Sequence, residues 1–414
     1  NLFNLSRKNI FFAESRKDKI KKIISLKLDI FIDDLEEVFN EKKFPSIKKI
    51  LFTKYSIKNS KFSYHNNWTD ITKDVLGSIT NDDFKYLAEN LCNESILKIK
   101  KLEKGGNSKI FKIVTKSKKI YALKKYPDLM IDSRNRLQNE MWAFNILKDF
   151  NLTPKNITYN KDQNIAIYEW IEGKTINLIK SDHIDKAVSF VNKLWELSRD
   201  NKISFHTASE SCISIDHLYD QINHRLIKLD NINNENLNLF LKQVFKPLLN
   251  NVNEWSDKII LQKNLRKNIL RKEMTLNPSD FGFHNTLLSS KNKLYFLDFE
   301  YFGFDDPVKL IADFIWHPAM NLNSHHKNKW IKETFKIFEK NSFLRDRFIA
   351  LWPLYGLRWT LILLNEFRFD GWKKRTYANT NLEKKHALKL EEQIYKANSF
   401  CKMINSNKLE CPYV

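Results

Sequence analysis

Two short segments place acids where acids are costly. In "LNPSDFGFHNTLL", residues 276–288, Asp280 and Asn285 sit in an apolar run, and "LYFLDFEYFGFDDP" then surrounds Asp298 with aromatic side chains. A carboxylate taken out of water needs a partner, and a bound cation is one that several oxygens can share. This requirement constrains the fold more than any local propensity, because it asks the two segments to converge. The stretch between them permits it: "TLLSSKNKLYFLDFE" reads as a strand, a turn at Ser-Ser-Lys-Asn and a second strand, a hairpin that returns Asp298 to the side of Asn285.

The 414 residues, 42% hydrophobic and 13% aromatic, hold core material for two or three domains. Four scattered cysteines with no CxxC pair argue against a zinc site or disulfide framework and suit a reducing cytoplasm. The longest apolar stretch, "RFIALWPLYGLRWTLILL", is interrupted by Arg, Pro and Gly before it could span a bilayer, so no transmembrane segment is expected. No secretory pattern opens the chain, and because it starts at Asn1 rather than Met, a fragment or a processed form is expected. The net charge of +21 has two readings. One is a basic surface for phosphates, nucleic acid or an anionic membrane. The other is Lys, Asn and Ile abundance across the whole sequence. Because the lysines are spread rather than massed, nucleic acid is not the expected partner, while peripheral contact with an anionic membrane stays open.

The order of elements divides the chain in three. Residues 1–92 read α-β-α-β, with "IFIDD" and "KKILFTKY" as strands, the alternation of a small parallel, Rossmann-like α/β unit. Residues 93–170 turn to strands, "ILKIKKLE", "SKIFKIVTK" and "KKIYALKKY", then a long helical pattern, then "NITYN" and "NIAIYEWIEG". Residues 171–414 are almost wholly helical apart from the two acid segments. The expected fold class is therefore α+β, a strand-rich lobe followed by a helical lobe.

Four features fall on this order. In "LEKGGNSKIFKI", Gly105 and Gly106, followed by Asn107 and Ser108, let the backbone approach a phosphate, although most Gly pairs are ordinary hairpin turns. "YALKKY" offers Lys124 as a phosphate contact, with Lys125 its rival because strand neighbours face opposite ways. Glu140 lies among Leu137, Met141 and Phe144 on the following helix and is placed to pair with the lysine. Asp280 and Asn285, five residues apart, supply one loop with a base and a neutral metal ligand, as phosphoryl transfer requires.

"SDFGFHNTLL", "FLDFEYFGFDDP" and "IYEWIEG" together resemble the catalytic, metal and hinge segments of the aminoglycoside phosphotransferase and choline kinase family, which has a bilobal protein-kinase-like fold. The resemblance covers about residues 97–400. It implies an ATP- and Mg²⁺-dependent kinase acting on a hydroxyl of a small molecule, with Asp280 as base and Asn285 and Asp298 on the metal. Lys124, braced by Glu140, would meet the α- and β-phosphates, and the backbone from Glu169 to Ile171 would meet adenine. The acceptor is expected to be sugar-like or a cell-envelope metabolite. One position departs: where the family carries His two residues before the Asp, this chain has Pro278, which motivates an alternative, a degenerate nucleotide-binding scaffold. Asp306-Pro307 reads as a helix cap, Asp313 as a further brace of the loop, His284 and His317 as structural, and Arg358 and Glu366 as residues of a core helix under the site, with contact of either one to substrate as the alternative.

"KLDIFIDDLEEVF" resembles the late half of a haloacid-dehalogenase-like domain, with Asp33 and Asp34 as metal-site acids and Lys17 or Lys19 as the cation. The Asp-x-Asp nucleophile of that family is absent from the chain, so the resemblance implies a remnant or a docking module rather than a phosphatase.

Overall fold

The computed structural model describes residues 9–53, 62–76, 81–102, 108–127, 132, 134–369, 371–372, 386–406 and 409–414. Two compact units result, Asn1–Tyr86 and Leu87–Val414, the division falling within a helix. In the first unit, α1 (Arg16–Ser25), β1 (Ile30–Asp33), α2 (Glu36–Phe39), β2 (Lys48–Phe52), β3 (Ser63–His65) and α3 (Trp68–Leu76) follow in order. The strands form a parallel sheet in the order β1-β2-β3. β3, three residues of Ser-Tyr-His, goes beyond the two strands read from sequence, since so short a polar piece carries no periodicity. Ser15 caps α1 by accepting from Asp18 N at 3.2 Å, and Ile20 and Ile23 are its buried face. Lys19 pairs with the buried Asp33, whereas Asp34 is exposed.

After α4 (Asn81–Cys92) the second unit opens with β4 (Ile96–Lys101), β5 (Lys109–Thr115) and β6 (Ile120–Lys125). α5 (Arg136–Leu147) precedes β7 (Asn156–Asn160) and β8 (Ile165–Glu169). These strands make one antiparallel sheet in the order β4-β5-β6-β8-β7. β5 shows the period of two that sequence reading relies on, burying Phe111, Ile113 and Thr115 and leaving the residues between half exposed. α5 is unusual in burying charge: Arg136 and Glu140, one turn apart, are both closed off from solvent.

The helical part runs α6 (Ser181–Ser198), α7 (Ile215–Asp230), α8 (Glu235–Phe240) and α9 (Lys246–Gln262). Four short strands follow: β9 (Thr275–Asn277), β10 (Thr286–Leu288), β11 (Leu294–Phe296) and β12 (Gly303–Asp305). The chain closes with α10 (Pro307–Trp316), α11 (Ser324–Ile337), α12 (Leu344–Leu363) and α13 (His386–Ser406). β10 pairs with β11 and β9 with β12, so the loops β9–β10 and β11–β12 lie side by side. The helix Leu344–Phe367 is long and apolar enough to cross a membrane, but 83% of its apolar window is buried in the protein, and it forms the core of the helical part.

Candidate active site

The β9–β10 loop is built around two anchors. Phe281 packs 5.5 Å from both Phe296 and Phe314, and Phe283 meets Phe314 edge-on at 5.5 Å. With these rings held in the core, Asp280 and His284, one residue to either side, face away from it. Ser279 takes a left-handed φ of 65° and donates its N–H to Asn277 Oδ1 at 2.8 Å, which turns the chain sharply after Pro278. Asn285 Nδ2 donates to Asp280 O at 2.9 Å and Oδ2 at 3.2 Å, leaving its amide oxygen free of that contact. Leu297 N donates to Asn285 O at 2.9 Å, and the β10–β11 register carries on from there, so Asp298 emerges next to Asn285.

Lys124 Nζ is surrounded by three carboxylates: Glu140 at 2.9 Å, Asp298 at 2.9 Å and Glu300 at 3.0 Å. Lys125, on the other face of β6, donates instead to Gln163 O at 3.0 Å. Glu140 is also the acceptor for Phe299 N at 2.9 Å and for the hydroxyls of Tyr126 and Tyr168, so α5 is tied directly to the backbone of the β11–β12 loop. Glu300 is held by Ser108 Oγ at 2.5 Å and by Arg136. Glu300 and Arg136 were not singled out from sequence, although Glu300 stands two residues from Asp298 and Arg136 one turn from Glu140. Of the phosphate-loop residues read from sequence, Ser108 lies here, and Gly105, Gly106 and Asn107 fall outside the described residues. At the hinge, Glu169 accepts from Lys155 N at 3.2 Å and Ile171 is buried.

Electrostatics separates the acids. Burial works to lower the Lys124 pKa, yet Asp298, Glu140 and Glu300 outweigh it and hold the ammonium charged. Burial raises Asp298 to about 7, Lys124 opposing and Glu300, Glu140 and Asp280 adding to the rise. Asp298 nonetheless keeps 37% of its side chain open and takes a left-handed φ of 65°. Three carboxylates around one ammonium, with Arg136 reaching only Glu300, is a place short of positive charge. With an amide oxygen alongside, the donor set suits a hard divalent cation such as Mg²⁺.

Asp280 has different company. His284 Nε2 lies 3.0 Å and His317 Nε2 3.2 Å from its Oδ1, and these contacts hold the carboxyl well below the usual range in spite of burial. The three ligand atoms lie within 4.8 Å of one another. The imidazoles are stacked at 3.8 Å and 4°, however, so their in-plane lone pairs run parallel instead of converging as metal coordination needs. Beneath them Asp313 meets Lys309 at 2.8 Å, Trp359 Nε1 at 2.7 Å and Arg358 at 3.3 Å. Arg358 and Glu366 are only 4% exposed, so neither faces the cleft as a free substrate contact. Asp306 caps α10, accepting from Val308 N at 3.0 Å.

No protein-family model and no curated protein matches the chain. Solved structures do. Choline kinase LicA from Streptococcus pneumoniae superposes with a TM-score of 0.51 at 15% identity, covering 78% of this chain and 99% of that one. Spectinomycin phosphotransferase APH(9)-Ia, solved with ADP and spectinomycin, gives 0.52 at 12%, covering 78% and 99%. Amicoumacin kinase hAmiN, solved in complex with AMP-PNP, Ca²⁺ and Ami, gives 0.50 at 14%, covering 79% and 96%. Beyond its amino-terminal unit, this chain has the bilobal protein-kinase-like fold of the choline kinases and aminoglycoside-type phosphotransferases.

Proposed function

We propose that the chain is an ATP- and Mg²⁺-dependent phosphotransferase that moves the γ-phosphoryl group to a hydroxyl of a small molecule. The observation that carries this reading is the meeting of Asp280, Asn285 and Asp298 on two adjacent loops, next to a Lys124–Glu140 pair. Asn285 and Asp298 would hold Mg²⁺, which when bound neutralises charge on the transferring phosphates. Lys124 contacts phosphate oxygens once nucleotide draws it from its carboxylate partners, and Glu140 keeps it in place. Asp280 orients the acceptor hydroxyl and takes its proton as the oxygen attacks phosphorus. Most of the acceleration then comes from positioning and fixed charge. The named relatives act on choline, spectinomycin and amicoumacin, and a sugar-like or cell-envelope alcohol is the acceptor class favoured here.

The test is a phosphorylation screen over sugars, nucleosides, amino alcohols and aminoglycosides, repeated with Asp280→Ala. Loss of a base should cost on the order of 10²–10⁴ in rate. Undiminished transfer by the variant would defeat the assignment. A second reading, a nucleotide-binding scaffold without turnover, has Pro278 in its favour. Stabilisation by ATP and Mg²⁺ with no product from any acceptor would select it. For residues 1–92 the proposal remains a dehalogenase-like remnant or docking module.

A further inference from the structure

Pro278 stands where the family usually has a loop-supporting His, yet Asp280 in this chain has two imidazoles against it, His284 from its own loop and His317 from the end of α10. We infer, resting on the reading of Asp280 as base, that His284 and His317 are positioning residues which fix Asp280 through Oδ1 and so leave Oδ2 to receive the acceptor proton. The tautomer of His317 is set by the backbone. Pro318 disfavours continued helix at residue 317, so α10 ends there, and Ala319 N donates to His317 Nδ1 at 3.1 Å. Nδ1 is thereby the acceptor, and Nε2 carries the hydrogen that faces Asp280 at 3.2 Å. Trp359 meets the His317 ring edge-on at 4.7 Å and is itself bonded to Asp313, so the imidazole is clamped from the core side.

His284 is fixed by space. A Cβ on Gly282 would come within 2.7 Å of its ring and 2.9 Å of Met320 Sδ, so only Gly leaves room for the ring at that point. Its Nδ1 is buried without a partner among the described residues, which leaves Nε2 as the atom that hydrogen-bonds. Stacking at 3.8 Å makes the two rings one rigid wall against a single carboxylate oxygen. The second oxygen, touched by Asn285, is the one next to the metal segment. A base aimed by hydrogen bonds of known direction loses rate when its aim is lost, even if substrate still binds.

The experiment compares His284→Leu and His317→Leu, which keep bulk and remove the donor, with His284→Gln and His317→Gln, which restore an N–H. With ATP, Mg²⁺ and an accepted alcohol, each Leu variant should lose about 10–10²-fold in kcat while KM for ATP and Tm stay near wild type. The Gln variants should recover most of the loss. Leu variants within twofold of wild type, or a loss that follows Tm and ATP affinity and is not recovered by Gln, would overturn the inference. A readout independent of turnover separates it from the kinase reading. In protein labelled with ¹⁵N-histidine, both rings should carry a hydrogen on Nε2, with resonances that move in Asp280→Ala. Rings in the other tautomer, or unmoved by that variant, refute the brace even in a protein that phosphorylates nothing.

Discussion

Asp298 shares a single ammonium with two other carboxylates, whereas Asp280 has two imidazoles to itself. The first arrangement is ionic and incomplete: burial and neighbouring acids push Asp298 up to about 7, so it gains from any further cation. The second is satisfied: hydrogen bonds hold Asp280 well below the usual carboxylate range, so it stays ionised without a metal. One cleft thus holds a carboxylate short of positive charge and a carboxylate already satisfied by hydrogen bonds, the division on which the proposed metal and base roles rest. Divergent environments for neighbouring carboxylates are how acid and base roles are divided in one site. They also differ in origin. The Asp280 wall comes wholly from the helical part, while the Lys124 cage joins β6, α5 and the β11–β12 loop.

If the cage is held by charge, removing Glu140 should be the most damaging change outside Asp280. Glu140→Ala takes one of three carboxylates from Lys124 and leaves Phe299 N without its buried acceptor, and should cost about 1–3 kcal/mol of stability, together with loss of ATP-induced stabilisation. Urea unfolding with and without nucleotide measures both, and a cost under 1 kcal/mol would mean that packing holds the cage. Gly303 tests whether backbone contact fixes β12 and the loop before it. A Cβ there would sit 2.3 Å from Ala208 N, where Phe304 bridges Thr207, so Gly303→Ala should cost about 1–3 kcal/mol by displacing β12. Unchanged unfolding would show that this approach is slack. The smallest effect is expected at Glu210, where Arg134, Arg225 and Arg358 meet on one carboxylate with a left-handed φ of 58°. Burial opposes its ionisation, but the arginines lower it from 4.5 to about 2. The stability it adds is complete above pH 4.5 and is lost as pH falls from there toward 2. The Tm gap between wild type and Glu210→Gln should therefore narrow across that window, and a gap constant with pH would discount the ionic contribution.

Local pattern carried much of this structure. Alternation in "SKIFKIVTK" gives β5, the spacing "NDDFKYLAENLC" gives α4, and Asp306-Pro307 starts α10 with its cap formed. The hairpin that returns Asp298 to Asn285 follows from a four-residue turn signal between two apolar runs. The contacts of the two histidines with Asp280 are what reading along the chain does not reach. His284 beside Phe283 looks like a core residue, and His317 before Pro318 looks like a helix end, which it also is. Neither carries a periodic signal toward Asp280.

The sequence by itself determined which residues share a strand, a turn or a helix face, because those distances are fixed by the period of the backbone. It thereby determined that Asp280 and Asn285 stand on one loop and Arg136 and Glu140 on one helix. Only the tertiary structure decided that His317 reaches Asp280, that Arg136 and Ser108 reach Glu300, and that Lys124 rather than Lys125 enters the cage. Those contacts join elements dozens to hundreds of residues apart, and their geometry depends on how aromatic side chains such as Phe281, Phe314 and Trp359 pack, which no local pattern encodes.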